Sequence, residues 1–368
     1  MHSPTRANNK VGRPADRTNG IACEIRRRIV AGELTPGMRL PPRAEFEAGY
    51  AASPVTVQRA LAQLVSEGFI RVDRTVGTFV AERPPHLFRY GLVFAERKPD
   101  PGGYFNRHYA SLLRASREVA AGRGVEIEAY FGLDGHVDGE DHARLIEDVN
   151  ANRLAGLIFA SPPPASLDTT VILSAALPRV RIGGCRAEGM PVVTSSHHEF
   201  LDLGLDALRA AGRGRVAMFL SCDLPTDGIE ERIRARGLLT RPHWILPCNI
   251  RTPHTVKRVV ELLMSRESTV VPDALLIDDD NLVEPAVAGF IEAGVRIPAD
   301  VQLVVFANLP WTPSSVVPLQ YIGVDSLVVL EACLDCLQKQ SRGEASLDLI
   351  TIPNTYALPA GGAGAVAA

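Results

Sequence analysis

Short polar and basic side chains stand at the start of a predicted helix in the first quarter of the chain. Ser53 is a favourable N-cap, and the proline that follows it suits the first helical position. Thr56, Gln58 and Arg59 fall in the first two turns of that helix. In the major groove of DNA, glutamine can pair with adenine through two hydrogen bonds, and arginine can bind guanine or phosphate. This segment is therefore predicted to contact base edges.

The spacing of apolar residues predicts the elements that would present this helix. A first helix has isoleucines at every fourth position over 21–29. A second helix is predicted over 43–50, and the third runs over 54–67, where a following glycine would end it. Strands over 69–72 and 78–80 then flank a turn. Three helices followed by a hairpin is the element order of a winged helix-turn-helix. The third helix is predicted to turn four side chains inward: Val57, Leu61, Leu64 and Val65.

Basic side chains around these helices are placed to meet the DNA backbone. Those at and before the start of the second helix are expected to hold phosphates, which fix a protein's register on the duplex. Those that flank the hairpin would accompany its tip, the wing, into the minor groove. Six positions complete the predicted DNA-binding surface: Arg39, Arg43, Arg71, Arg74, Gly77 and Thr78.

Charge is divided unevenly along the 368 residues. The net charge is −3, yet residues 1–85 carry 13 Lys+Arg and 8 Asp+Glu, a balance of +5, and the remainder carries a balance of −8. A basic head on an acidic body is expected where only the head meets nucleic acid.

Beyond residue 88 the pattern alternates apolar strand-like runs with amphipathic helices. Such alternation predicts parallel sheets with helices on both faces, and about 270 residues suffice for two lobes. The predicted fold class is thus α/β, with an N-terminal winged helix-turn-helix before a two-lobed domain. The predicted organisation has five parts: a flexible arm over 1–19, the DNA-binding domain over 20–82, a linker over 83–89, the two-lobed domain over 90–359, and a disordered tail over 360–368.

Location and partners follow from what the sequence lacks. The first residues contain no apolar core of a secretory signal, and no apolar run approaches the roughly 20 residues that span a bilayer. We therefore expect a cytoplasmic protein with no membrane contact.

Residues 21–80 resemble a GntR-type DNA-binding domain. The matching stretches follow one another in uninterrupted spacing: GELTPGMRLPPRAEF, SPVTVQRALAQLVSEGFI and VGTFV. The resemblance implies a winged helix-turn-helix that binds double-stranded operator DNA. Three positions depart from it. Ala44 stands at the usual arginine position after Leu-Pro, Gln58 stands where relatives often carry arginine, and Pro54 stands where some of them do.

The body resembles the LacI-type effector domain, which is itself similar to periplasmic sugar-binding proteins. Its strongest pieces are residues 272–311 and 212–220, and the order of head and body resembles arabinose-repressor-like regulators. The resemblance implies a homodimeric transcription regulator, a repressor, whose two lobes close over a small-molecule effector of the carbohydrate type. Strand ends of open α/β sheets hold such ligands. Seven residues are the candidate effector contacts: Asn106, His108, Tyr109, His197, Asp280, Asn308 and Trp311.

The expected pocket departs from the family pattern at three places. By our alignment, residues 225–227 fall near the family's usual arginine, Ser196-His197 replaces Asp-Asn, and Ala307-Asn308 replaces Asp-Asp. Each lost hydrogen-bonding group in a buried site costs roughly 1–3 kcal/mol. A second reading therefore stays open, in which the body has lost its ligand and serves only dimerisation.

Other chemistries find little support in the sequence. Asp278-Asp279-Asp280 could suggest a metal, but successive strand residues point to opposite faces, so no metal site is expected. Cys333 and Cys336 form a CxxC without a second pair, on an apolar helix face where a buried structural role is expected. No P-loop, Gly-x-Ser-x-Gly or His-Glu-x-x-His occurs. Neither an enzyme nor a cofactor is predicted.

Overall fold

In the computed structural model, a small helical unit precedes two parallel sheets that are each covered by helices. The α/β fold class with an N-terminal winged helix-turn-helix is confirmed. None of the helices in the described part of the chain is both long and apolar enough to cross a membrane. The structure describes the following residues: 14–98, 106–133, 140–162, 177–184, 190–221, 226–252, 254–265, 270–344 and 349–357.

The N-terminal unit, here called the head, closes around one apolar cluster. Ile25, Val57 and Leu64 are fully buried in that cluster, as the four-residue spacing predicts. Its two strands are antiparallel, with Ile70 opposite Val80. Its elements are α1 (Pro14–Val30), α2 (Arg43–Gly49), α3 (Pro54–Ser66), β1 (Ile70–Asp73) and β2 (Gly77–Val80).

Two details of the predicted head are wrong. Residues 14–19 are helical where an arm was predicted, because proline suits the first turn of a helix and α1 begins there. The other predicted arm residues, 1–13, lie outside the described residues. Val65 is 40% exposed although it was predicted to face inward, because the buried stripe of α3 runs through Val57, Ala60 and Leu64.

The first sheet forms lobe 1. Its strands lie in the order β13-β7-β6-β5-β3-β4 and all neighbours are parallel. The strands are β3 (Arg89–Val93), β4 (Glu126–Tyr130), β5 (Gly156–Phe159), β6 (Arg179–Ile182), β7 (Val192–Ser195) and β13 (Leu349–Ile352). The helices are α4 (Arg107–Arg123), α5 (Glu140–Asn150) and α10 (Ser326–Ser341). Cys333 and Cys336 lie buried on α10 within this lobe's core.

The second sheet forms lobe 2. Its order is β14-β12-β11-β10-β8-β9, parallel except for the β12–β14 pair. The strands are β8 (Val216–Ser221), β9 (Ile245–Cys248), β10 (Ala274–Ile277), β11 (Gln302–Leu309), β12 (Gln320–Asp325) and β14 (Thr355–Tyr356). The helices are α6 (His197–Ala210), α7 (Ile229–Arg234), α8 (His254–Leu263) and α9 (Val283–Glu292).

The chain crosses between the lobes three times. It passes from β7 to α6, from β12 to α10, and from β13 to β14. Each lobe therefore includes segments that are separated in the chain: α10 and β13 join lobe 1, and β14 joins lobe 2, after the intervening crossings. The carboxyl ends of both parallel sheets meet at a cleft between the lobes.

The predicted linker is short and structured. Pro85–Leu87 forms one 3-10 turn, and the ring of His86 stacks on Phe69 of the head at 6.0 Å between centroids. Arg83 donates a hydrogen bond of 2.9 Å to the carbonyl of Gly124 in lobe 1. These contacts fix the path of the chain from head to lobe 1. The predicted tail, 360–368, lies outside the described residues.

Candidate nucleic-acid interface and interlobe cleft

The start of α3 is held by its own hydroxyl side chains. The Oγ atom of Ser53 accepts the backbone N–H of Thr56 at 3.2 Å and lies 2.8 Å from Thr56 Oγ1. This satisfies one of the unpaired amides at a helix start. Ser53 thus has a capping role, and it stays exposed next to Gln58 and Arg59 on the surface of the same helix.

Arg43 and Gln58 share one surface of the head. Arg43 donates to Glu47 at 2.9 Å, and its Nη1 lies 3.4 Å from Gln58 Oε1. The structure therefore brings together the predicted phosphate contact and the predicted base contact. Arg59 is exposed and forms no ion pair among the described residues. Its cationic head is free to meet DNA.

The wing turn is built by a residue that sequence reasoning missed. Asp73 Oδ1 accepts the N–H groups of Thr75 and Val76 at 2.9 and 3.2 Å, together with the Thr75 hydroxyl at 2.7 Å. Arg74 is exposed at the tip. Asp residues commonly make such turns by bonding the backbone two residues on, and this is the signal that could have found it.

The wing also has a close neighbour in Arg39. Gly77 has a φ of +136°, and a Cβ there would lie 3.1 Å from Arg39 Nε. The positive φ favours glycine at this position, and a larger side chain would also have to displace the Arg39 guanidinium. The carbonyl of Thr78 accepts the N–H of Leu40 at 2.8 Å, which ties the hairpin to the segment that carries Arg39.

Arg71 is less free than predicted. Its guanidinium lies 4.8 Å from the ring centroid of Phe79, and its Nη2 lies 3.3 Å from Glu82. Both members of that pair are about half or more exposed, so the pair adds little stability. The pair nevertheless lowers the net positive charge at the base of the wing.

The end of α3 joins the head to lobe 1 through a buried carboxylate. Glu67 accepts two hydrogen bonds from Arg26 of α1, at 2.7 and 2.9 Å, and one of 2.8 Å from Arg153 of lobe 1. The side chains of Glu67 and Arg26 are 8% and 3% exposed. Arg153 also bonds Asp148 at 2.9 Å, and Asp148 accepts the Tyr130 hydroxyl at 2.6 Å. A continuous polar network therefore runs from α1 to the sheet of lobe 1.

Burial and hydrogen bonding act in opposite directions on the pKa values of Glu67 and Arg153. Burial raises the pKa of Glu67, but the hydrogen bonds from Arg26 and Arg153 outweigh burial, so the pKa lies below its ordinary value. Burial lowers the pKa of Arg153, and its bonds to Glu67 and Asp148 raise it to a net value above the ordinary one. Both groups are ionised at neutral pH, as an ion pair requires.

The cleft between the lobes is a cavity of about 360 Å³. This volume lies at the small end of the roughly 300–1,000 Å³ typical of ligand sites. Lobe 1 contributes the start of α4 and the ends of β5, β6 and β7, and lobe 2 contributes the ends of β8, β10 and β11. Five of the seven predicted effector contacts line it: Asn106, His108, Tyr109, Asp280 and Asn308.

Three of these residues form a hydrogen-bonded chain across the cleft. Asn308 donates from Nδ2 and from its backbone N–H to Asp280 Oδ2, at 3.1 and 3.3 Å. Its Oδ1 lies 3.1 Å from Nδ1 of His108, whose Nε2 is 3.3 Å from the carbonyl of Ala160. Both ring nitrogens of His108 therefore face oxygen atoms, and the tautomer decides which of them donates. Burial, and then the charge of Asp279, raise the pKa of Asp280 to about 7.

The lobes are bridged a second time at the mouth of the cleft. The backbone N–H of Arg107 donates to Asn281 Oδ1 at 3.1 Å, and its side chain pairs with Glu284 at 2.6 Å. Asn281 in turn donates twice to Asp279 Oδ1, at 2.7 and 2.8 Å. The start of α4 therefore holds the acidic turn of lobe 2 against lobe 1.

The acidic run of lobe 2 corrects the reasoning from strand alternation. β10 ends at Ile277, so Asp278, Asp279 and Asp280 all follow the strand and all line the cleft. Asp278 Oδ1 accepts the N–H of Ser221 at 2.8 Å, whereas its Oδ2 is buried without a hydrogen-bond partner among the described residues. Burial, and then the charge of Asp279, raise the pKa of Asp278 well above its ordinary value.

Two predicted effector contacts are placed elsewhere. His197 begins α6 and lines a second cavity, of about 430 Å³, with His198, Asp227 and Arg232. Burial lowers its pKa to about 4, helped by the charges of His198 and Arg232, so its ring is neutral at pH 7. Trp311 packs against the core of lobe 1 and is not among the described residues that line the cleft.

Comparison with known proteins agrees with both parts of this architecture. Residues 17–80 match the family model of bacterial regulatory proteins of the gntR family, so the head is a GntR-type domain. The chain is 22% identical over 362 residues to the arabinose metabolism transcriptional repressor of Halalkalibacterium halodurans, covering 91% of this chain and 94% of that protein.

Solved structures share the fold of the body. A regulatory protein of the LacI family from Chloroflexus aggregans has a TM-score of 0.59 at 17% identity, covering 73% of this chain and 96% of that chain. The Escherichia coli transcriptional repressor ascG has a TM-score of 0.55 at 18% identity, covering 73% and 97%. The predicted resemblance to a GntR head on a LacI-type body is thereby confirmed.

Neutralising the junction carboxylate is expected to destabilise the protein. Glu67→Gln leaves Arg26 buried without its counter-charge, and breaking a buried pair costs roughly 3–5 kcal/mol. Because glutamine keeps part of the hydrogen bonding, we expect a loss of about 2–3 kcal/mol in urea unfolding. Glu147→Gln is the matched control, since Glu147 also bonds Arg153 at 3.1 Å but is 70% exposed. Equal losses in the two variants would contradict this account of the junction.

Ionisation of Asp280 is expected to cost stability as pH rises. Its pKa of about 7 in the folded chain exceeds the ordinary value of 3.8, so its contribution is present below about pH 4 and is lost as pH rises through 7. Each pKa unit corresponds to about 1.4 kcal/mol. The melting temperature of Asp280→Asn, relative to the unsubstituted chain, should therefore increase from pH 5 to pH 8. A difference that is constant across this range would refute the prediction.

Proposed function

We propose that this chain is a DNA-binding transcription regulator, a repressor, that binds double-stranded operator DNA as a homodimer. A sugar-like small molecule held in the interlobe cleft controls that binding. The observation that carries the proposal is the position of Glu67, which ends the helix of the predicted DNA contacts and is ion-paired to the lobe that borders the cleft. The named relatives are transcriptional repressors, which supports a regulator and not an enzyme.

The head would dock through α3 and the wing. Gln58 and Arg59 are the base or phosphate contacts of α3, supported by Ser53 and Thr56 at its start. Two groups of residues complete the proposed surface: Arg39 and Arg43 before and at α2, and Arg71, Arg74, Gly77 and Thr78 in the wing. Operator binding requires the same compartment as the DNA, so we assign the protein to the bacterial cytoplasm.

Control would pass from the cleft to the head by rigid attachment. Residues of α4 hydrogen-bond across the cleft to lobe 2, and the head is fixed to lobe 1 by Glu67 and by Arg83. A ligand that binds one separation of the lobes more tightly shifts the chain toward it. In a homodimer, the distance between the two heads would change with that shift, and the fit to two half-sites would change with it.

The alternative of a body that has lost its ligand is less well supported. A collapsed or purely structural site would be filled by apolar side chains, whereas this cleft retains a cavity with buried carboxylates directed into it. Buried polar groups without partners cost free energy unless something binds them. A cleft of this composition is more consistent with a ligand site than with a dimerisation scaffold.

Removal of the free cation on α3 tests the DNA side of the proposal. Arg59→Ala should weaken binding to a duplex selected by the unsubstituted protein from a random pool by about tenfold or more. If Arg59 binds phosphate, the slope of log affinity against log salt should also fall by about 0.9. Fluorescence anisotropy over a salt series measures both quantities.

The matched control for that measurement is Arg258→Ala. Arg258 lies on α8 of lobe 2 and its side chain is 79% exposed, so the same change in charge occurs far from the proposed surface. Equal loss of affinity in both variants would indicate a general charge effect. Unchanged affinity and slope in Arg59→Ala would remove this residue from the interface.

A further inference from the structure

We propose that the molecule held in the cleft is a small hydroxylated amine with a positive charge, such as an amino sugar or amino alcohol, and not a neutral sugar. This inference rests on the proposed function and specifies its ligand class. The observation that carries it is the second carboxylate oxygen of Asp278, which is buried at the cleft with no hydrogen-bond partner among the described residues.

One carboxylate oxygen of Asp278 holds the backbone of lobe 2, and the other is available to a ligand. The residue is 8% exposed, and its Oδ1 is satisfied by the backbone N–H of Ser221 at 2.8 Å. Its Oδ2 is left as an acceptor with nothing to accept. A buried carboxylate oxygen in this state costs free energy that a donor in the cleft would recover.

The two neighbouring carboxyl groups add negative charge at the cavity, which further favours a cationic ligand. Asp279 uses Oδ1 for both bonds from Asn281, and its Oδ2 has no hydrogen bond from any residue the structure describes. Asp280 is 2% exposed and is engaged by Asn308. Three consecutive carboxyl groups thus border one cavity. Like charges this close disfavour one another's ionisation unless a cation lies between them.

The protein supplies little compensating charge. Among the described lining residues there is no arginine or lysine, and the one side chain that can become a cation is His108. His108 is directed at Asn308 and the carbonyl of Ala160, which leaves Asp278 and Asp279 without a contact from it. Arg107 is nearby, but its guanidinium is paired with Glu284. A protonated amine has three N–H donors and a charge, and matches these oxygens.

The rest of the cavity favours a compact molecule that also carries hydroxyl groups. Asn106, Thr194 and Ser195 offer polar contacts from lobe 1, while Phe306 and Ile250 offer apolar surface. A cavity of about 360 Å³ suits a compact ligand of about monosaccharide size. The arrangement of a few polar groups within an apolar lining is typical of a small-molecule site.

The test compares matched pairs of compounds on the full-length protein in phosphate buffer at pH 7. Glucosamine, galactosamine, mannosamine and ethanolamine are each paired with the counterpart that carries hydroxyl in place of the amine. The N-acetyl hexosamines, which keep the shape but lose the charge, form a third set. Thermal shift and calorimetry should show binding for at least one amine, with its neutral and acetylated counterparts at least about tenfold weaker.

Two substitutions tie that binding to the carboxylates. Asp278→Asn can still accept the Ser221 N–H, so it should fold, and it should weaken the bound amine by about tenfold or more. At pH 8 the ligand-free variant should also melt higher than the unsubstituted protein, because an unpaired buried charge has been removed. Glu261→Gln, a partly exposed carboxylate on α8 of the same lobe that pairs with Arg258, is the control and should change neither quantity.

The outcomes separate this inference from the proposed function. Tighter binding of the neutral members overturns the charged-ligand inference and leaves a ligand-controlled regulator intact. A flat response to every amine also overturns the inference, whatever the melting temperature of ligand-free Asp278→Asn. Failure of the proposed function would appear instead in the anisotropy assay, which requires no ligand. There the unsubstituted protein would bind its selected duplex no more tightly than other duplexes.

Discussion

A carboxylate buried between two arginines is the constraint on which this architecture depends. Glu67 closes α3, holds α1 through Arg26, and reaches lobe 1 through Arg153. Buried ions require good geometry and further hydrogen bonds to offset their loss of water. Here those bonds continue through Asp148 and Tyr130, so the orientation of the head is tied to the packing of a sheet. A flexible linker alone could not provide such a fixed orientation.

The crossings of the chain determine how the two lobes can move relative to each other. Three crossings leave each lobe covalently joined to the other at several points, so they can change separation but not drift apart. The parallel strands aim their carboxyl ends at one shared cleft, where polar side chains collect because strands end there. The start of α4 lies at this edge and makes hydrogen bonds across it. A change in the separation of the lobes on ligand binding can therefore be passed through lobe 1 to the head.

Much of this fold follows from sequence patterns. α2, α3 and the two strands of the head fall within a few residues of the predicted bounds, because buried positions recur with helical or strand spacing, whereas α1 begins seven residues before the isoleucine pattern. The prediction failed where burial depends on distant packing. Val65 is one step around α3 from Leu64, and local spacing alone does not locate the edge of the buried stripe. The pairing of β13 with β7 likewise joins segments more than a hundred residues apart, and β14 pairs with β12 across an intervening helix of lobe 1.

Part of the cleft could also be predicted from local sequence patterns. Side chains at the start of α4 and near the carboxyl ends of β10 and β11 could be assigned because the end of a strand fixes their position, although Asn308 lies within β11, which runs to Leu309. His197 follows a strand of lobe 1 but starts a helix of lobe 2, and this crossing carries it to another cavity. The three aspartates at 278–280 were misjudged because β10 ends at Ile277, so all of them lie beyond the strand and the alternation of strand side chains does not apply to them. The junction at Glu67 joins residues 41 and 86 positions apart, which no local pattern reveals.

The most direct test of a head held rigidly on lobe 1 is a distance distribution between the two. Spin labels at the exposed positions 62 on α3 and 118 on α4, with Cys23, Cys185 and Cys222 replaced by serine and the labelled chain diluted with unlabelled chain, report it by pulsed electron resonance. The account predicts one narrow distribution in the otherwise unsubstituted chain and a clearly broader one after Glu67→Gln. Distributions of equal width in the two proteins would contradict it.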